Sequence, residues 1–342
     1  MNQNKALMQN IQLILITHLK LILPFCIFMS MINKNKKINK KIALIGFPMD
    51  LGADRRGVDM GPSAIRYANL EEKLEKLGYN VTDFGDVDIQ ISETQKIRNS
   101  KLKYLPEITK TSKILAQKVE SLMNKNYFPL IIGGDHATAI GTIAGIANYC
   151  KKRNETLGII WIDAHADMNT ADTTPSGNIH GMPLAVALGL GDKKLTHING
   201  FSPKVKVENV ALIGIRDVDY YEAQTIKKHQ LCVYTMTEVD KMGIHRIIAK
   251  VLNDFKSRVD HIHISFDMDG IDPEYAEGVG TPIPGGLTYR ESQLLMEMVA
   301  DCGCMNSLEV LEVNPILDTK NRTAYLATEL IISALGKTTL YD

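Results

Sequence analysis

The segment Leu157-Gly158-Ile159-Ile160-Trp161-Ile162-Asp163-Ala164-His165-Ala166-Asp167 decides the fold. Its first half is apolar with no polar alternation, which reads as a strand buried on both faces. Its second half delivers Asp, His and Asp at alternate positions just where the strand ends. A helical pattern, Ile140 to Cys150, precedes it, and the strand-like Leu130-Ile131-Ile132 precedes that, after the helical Ile108 to Met123.

The alternation continues outward. Ile42 to Gly46, Val210 to Ile215, His261 to Phe266 and Leu308 to Leu311 read as strands. Tyr67 to Leu77 reads as a helix, with Leu70, Leu74 and Leu77 on one face. Thr288 and Glu291 form a capping box that opens a helix to about Val299, and Ala324 to Leu335 is a closing helix. This order predicts an α/β fold, a three-layer α/β/α sandwich with a mostly parallel central sheet. No Pro/Gly/Ser linker divides residues 41–342, which read as one domain.

Residues 1–40 differ. Ile11 to Ile32 is mostly apolar, and Lys34 to Lys41 is basic and Asn-rich. His18, Lys20 and Pro24 argue against a spanning helix. The missing small-x-small site and the basic run placed after the apolar one argue against a signal peptide. The preferred reading is a start-site artefact, with translation beginning at Met31. A disordered extension and a membrane-related segment are the alternatives.

Lys+Arg and Asp+Glu both number 39, so the net charge is zero. That balance removes the electrostatic reason to expect nucleic acid or an anionic membrane as partner. Five cysteines, with only Cys302 and Cys304 close in sequence, read as reduced thiols of a cytoplasmic protein.

Ligand sites in parallel sheets lie beyond the carboxyl ends of the strands. There the sequence places Gly133-Gly134-Asp135-His136, then Asp163-Ala164-His165-Ala166-Asp167, then Asp267-Met268-Asp269-Gly270. Side chains at i, i+2 and i+4 of extended chain share a face. His136, Asp163, His165, Asp167, Asp267 and Asp269 therefore gather four carboxylates and two imidazoles at one rim. So many acids cannot all stay ionised without counter-charge. Two divalent cations resolve this, and carboxylate with imidazole suits Mn2+ better than a structural zinc site. Such a pair, ~3.5–4 Å apart, lowers the pKa of a shared water. His261 and His263 read as strand residues and not ligands, since His263 lies ~13 Å along the strand from Asp267.

These motifs, with Gly57-Val58-Asp59-Met60-Gly61-Pro62-Ser63-Ala64-Ile65-Arg66, resemble the ureohydrolases, the arginase/agmatinase family, over about residues 41–342. Within that family the chain is most similar to the arginases. The resemblance implies a binuclear Mn2+ site on the six residues above, two ions per subunit, and hydrolysis of L-arginine to L-ornithine and urea by a hydroxide bridging the ions. It implies that Asn169 and Ser176 bind the substrate α-carboxylate, and Asp219, with Glu222 close by, the α-ammonium. Glu312, in Leu311-Glu312-Val313-Asn314-Pro315, would pair with the guanidinium, and Thr281 would line the pocket. His180 would shuttle protons, and Asp167 would pass one to the leaving amine. The family further implies a homo-oligomer, a trimer or hexamer. The rivals are an agmatinase or guanidinobutyrase of the same family, an inactive regulatory paralogue, and a single-zinc deacetylase of related fold. Agmatine has no α-carboxylate for Asn169 and Ser176 to hold.

Overall fold

The computed structural model describes residues 41–340; the expectations for residues 1–40 lie outside them. The strands are β1 (Lys41–Phe47), β2 (Asn80–Asp86), β3 (Phe128–Gly133), β4 (Leu157–Ile162), β5 (Val210–Ile215), β6 (Cys232–Thr235), β7 (His261–Asp267) and β8 (Met305–Leu311). They form one 8-stranded sheet in the order β2-β1-β3-β8-β7-β4-β5-β6. Every pairing between them is parallel, so the sheet is wholly, not mostly, parallel.

The strand pattern explains the layers. β3, β4 and β5 are buried at every residue. Ile42, Leu44, Ile160, Ile162, Ile264 and Phe266 point into one core, shared with helices Gly61–Tyr67, Leu70–Lys76, Ile244–Lys256, Tyr289–Cys302 and Arg322–Ala334. Their alternates Ala43, Ile45, Ile159, Trp161 and Leu212 enter a second core under helices Leu105–Asn124, Thr138–Lys151 and Pro183–Ala187. Each fully buried Leu, Ile or Phe contributes roughly 1.5–3 kcal/mol, and both faces are filled this way. The result is helix, sheet, helix.

Three departures from the sequence reading have local causes. The helix expected over residues 67–77 is two helices, because Asn69 takes a left-handed φ of 61° between them. The edge strands β2 and β6 were not anticipated. β2 buries only Val81 and carries Asp83 and Asp86, as a solvated edge allows. Cys302 and Cys304 are joined by a disulfide, with Cα atoms 5.2 Å apart across Gly303. Among the described residues the reduced reading therefore holds only for Cys150 and Cys232.

The sheet order sets up the site. β3, β8, β7, β4 and β5 are consecutive neighbours, so the segments leaving their carboxyl ends converge on one crevice. Gly134 makes the first of these turns possible, because a Cβ there would collide with the Met49 carbonyl.

Candidate active site

His136 follows β3 and is 1% exposed. Its Nδ1 lies 2.8 Å from Asp267 Oδ2, 3.1 Å from Asp163 Oδ2 and 3.2 Å from Asp167 Oδ2. His165 Nδ1 lies 3.1 Å from Asp269 Oδ2 and 3.4 Å from Asp163 Oδ1. Asp163 thus gives one oxygen to each side. In this crevice two groups could hold a metal: His136, Asp163 and Asp267, and Asp163, His165 and Asp269, with Asp163 common to both. Asp167 Oδ2 is buried among them with no hydrogen-bond partner.

All six predicted ligands meet, but not by the extended alternation read from the sequence. The backbone N–H of His165 donates to Asp163 Oδ1 at 2.7 Å, and that of Asp269 to Asp267 Oδ1 at 2.7 Å. Each strand end therefore curls into a tight side-chain-to-backbone turn. Asp167 itself has a left-handed φ of 51°, a strained state that persists only where surroundings enforce it.

The electrostatics state what the cluster needs. Burial and neighbouring acids, Asp163 for Asp167 and Asp269 for Asp267, push both carboxyls well above their usual range. Burial would lower the imidazoles, yet the carboxylates hold His136 and His165 well above theirs. Burial would raise Asp163, but the two imidazoles keep it low. Protons here stand in for positive charge the donors require. A carboxylate-rich, imidazole-bearing set with an orphaned buried oxygen fits divalent cations.

A supporting layer fixes these side chains. Trp161 Nε1 donates to Asp163 Oδ2 at 2.9 Å, and its ring stacks on His136 at 4.1 Å between centroids and 3° between planes. His136 Nε2 lies 2.9 Å from Ser265 Oγ. On the same face, His263 bridges Ser307 Oγ at 2.9 Å and Glu309 Oε1 at 3.0 Å. His263 is a strand residue, and its place in this buried polar network was missed. The available signal was a matched run of polar residues, His263 and Ser265 beside Ser307 and Glu309, in otherwise apolar strands. The guanidinium of Arg216 donates to the carbonyls of Asp269, Gly270 and Ile283, clamping the turn after β7. Thr281 Oγ1 donates to Asp269 Oδ2 at 2.8 Å.

Above the cluster opens a cavity of about 240 Å³, bounded by His165, Asp167, Asn169, His180, Asp219, Glu222, Thr281 and Glu312 among others. Glu312 has φ 64° directly after β8. Its Oε1 accepts from the His136 backbone N–H at 2.9 Å and lies 3.1 Å from His180 Nδ1, while its Oε2 is buried without a partner. Burial would lower His180, but Glu312 and then Asp135 and Asp167 hold it up, at about 9. Asn169 Nδ2 donates to Asp219 Oδ2 at 2.8 Å, and its Oδ1 is buried and unpartnered. Asp219 caps helix Tyr220–His229. Glu222 accepts from the Met168 N–H at 2.8 Å, and burial raises its carboxyl to about 7. Ser176 alone of the predicted site residues stands apart. It is exposed on the loop, with its Oγ accepting from the Asn178 N–H, while neighbouring Pro175 reaches the cavity wall.

A parallel α/β sheet whose carboxyl rim carries a buried acid–imidazole cluster beneath a small polar cavity defines a metal-dependent hydrolase. The comparisons narrow this. The arginase family model matches residues 40–336. The arginase of Bacillus subtilis (strain 168) is 52% identical over 301 residues, spanning 88% of this chain and 99% of its own. The native structure of Bacillus caldovelox arginase at pH 5.6 aligns with a TM-score of 0.84 at 49% identity, over 88% of this chain and 99% of that one. Entamoeba histolytica arginase, solved with L-ornithine, aligns at 0.80 and 31% identity, over 87% and 99%. The chain belongs to the arginase family.

Proposed function

We propose that this enzyme is an arginase that hydrolyses the guanidinium group of L-arginine, yielding L-ornithine and urea. One observation carries the reading: Glu312 lines the same cavity as the acid cluster, and its buried Oε2 has no partner. A buried carboxylate oxygen without a donor is costly, and a planar guanidinium satisfies it.

His136, Asp163, Asp167, Asp267, His165 and Asp269 would hold two Mn2+ ions, which when bound lower the pKa of a water so that hydroxide forms at neutral pH. Asp167 would take the proton given up by the attacking water and hand it to the leaving nitrogen. The buried Asp167 Oδ2, which has no hydrogen-bond partner, supports that role. Glu312 orients the guanidinium and holds His180, whose side chain is 20% exposed and can pass protons to solvent. Asn169 has a second amide N–H for the α-carboxylate after bonding Asp219. Asp219 and Glu222 would face the α-ammonium, Ser176 would close over the carboxylate from the rim loop, and Thr281 steadies Asp269 while lining the cavity.

The continuous sheet supports reading residues 41–342 as one catalytic domain. We also infer a cytoplasmic homo-oligomer, a trimer or hexamer, with no nucleic-acid or membrane partner. The oligomer and location follow from the family resemblance; the balanced charge gives no electrostatic reason for a nucleic-acid or anionic-membrane partner, and among the described residues no helix is long and apolar enough to cross a membrane. The test is urea release from L-arginine and agmatine side by side, with Mn2+, Co2+, Fe2+ or Ni2+ added to stripped protein. Activity on arginine, restored best by Mn2+, is the expected result. A preference for agmatine, or full activity in verified metal-free protein, overturns the proposal.

A further inference from the structure

At the opposite, amino end of the sheet a second cluster of donors converges. Cys150 lies in the last turn of helix Thr138–Lys151, Glu155 in the connection to β4, and His261 opens β7. The Cys150 sulfur, a Glu155 carboxylate oxygen and a His261 ring nitrogen all lie within 4.8 Å of one another. His261 Nε2 is 2.8 Å from Glu155 Oε2, whereas its Nδ1 is buried without a hydrogen-bond partner. A ring nitrogen and a carboxylate oxygen 2.8 Å apart can bind one cation side by side, the cation replacing the proton they share.

The backbone around these residues is already tied down. The Glu155 N–H donates to the Cys150 carbonyl at 3.0 Å, and the His261 N–H to the Thr156 carbonyl at 3.1 Å. The Thr156 N–H donates to Asp260 Oδ2 at 2.8 Å. The Tyr149 ring packs edge-on against His261, with centroids 5.4 Å apart. The sulfur is buried (2% exposed), while the Glu155 side chain is 33% exposed. The cluster is thus closed below and open above, where a water can complete a coordination shell.

We propose that Cys150, Glu155 and His261 form a separate binding site for one borderline-soft divalent cation of the Zn2+ class. The donors differ in kind from those of the catalytic cluster, which has oxygen and imidazole nitrogen but no sulfur. Thiolate with imidazole and a carboxylate selects zinc-like ions, while the carboxylate-rich set selects harder ones. Burial, then the charges of Glu155 and Asp260, push the free thiol up to about 12. Cation binding must therefore release the thiol proton to solvent, and affinity rises with pH.

The test uses the full chain with Cys26→Ser and Cys232→Ser, its catalytic cluster first loaded with Mn2+ and then titrated with Co2+. Sulfur-to-cobalt charge-transfer absorption in the near ultraviolet should appear and saturate at one Co2+ per subunit. An all-oxygen-and-nitrogen site cannot produce it. Cys150→Ser should abolish the band and His261→Gln should weaken it, with urea release reporting that each variant is folded. Absence of the band before Cys150 is altered, or its persistence in Cys150→Ser, overturns the proposal. Should Cys150→Ser not fold, X-ray absorption at the zinc edge of the Cys26→Ser/Cys232→Ser chain decides. One sulfur in the zinc shell sustains the site, and a shell of nitrogen and oxygen alone removes it.

Discussion

The floor and the rim of the cavity are built differently. The floor residues Asp163, Asp267, Asp269 and His136 sit at or within three residues of strand ends and are 0–2% exposed. Three parallel strands in a packed sheet place them, and Trp161, Ser265 and Arg216 fix their orientation. The rim residues Asn169, Ser176, His180 and Asp219 ride on loops, a short 3-10 turn and a helix cap, outside the strands, with contacts among themselves such as Asn169 to Asp219. A floor of this kind sets what chemistry is possible, and a rim of this kind sets which molecule receives it.

The most severe test of that division is Asp163→Asn. It removes the carboxylate common to both donor groups. Loss of a supporting partner costs about 10–100-fold, so loss of this ligand should cost more than about 100-fold in urea release, with bound metal falling in parallel. A variant that keeps its metal would break the comparison at its strongest point. Next comes Trp161→Phe, which keeps the stacking on His136 but deletes the bond to Asp163. Metal affinity, followed by titration of stripped protein, should weaken about 10–100-fold.

Rim changes should leave metal content untouched. Asn169→Ala should raise the KM for L-arginine about tenfold, the cost of one hydrogen bond to a charged group, while agmatine turnover shifts less than about twofold. Equal losses on both substrates would place Asn169 with the floor. The smallest effect is a pH limb. Glu222 titrates at about 7, so it is neutral below that pH and charged above it. The KM for L-arginine should therefore fall as pH rises through about 7, and Glu222→Gln should flatten the limb.

The same division explains what could be read from the sequence. Six strands were legible because β1, β3, β4, β5, β7 and β8 bury nearly every residue and so carry little polar alternation. β2 and β6 sit at the sheet's edges, where polar and exposed positions blur that signal. The metal-ligand candidates were legible because strand ends fix where they emerge, although the turns that aim them were not. The rim was legible only through resemblance, since nothing in a loop's spacing says that Asn169 meets Asp219, fifty positions away. The Ser265, His263 and Glu309 network went unread because pairing of β7 with β8 is a tertiary fact.

Trp161 is the chain's lone tryptophan, and it stacks on His136 while bonding Asp163. The intrinsic fluorescence of this protein therefore has a single indole source, and that source touches the cation-binding groups directly. Filling or emptying the centre should change emission without any label or engineered probe, so the molecule carries its own optical readout of metal occupancy.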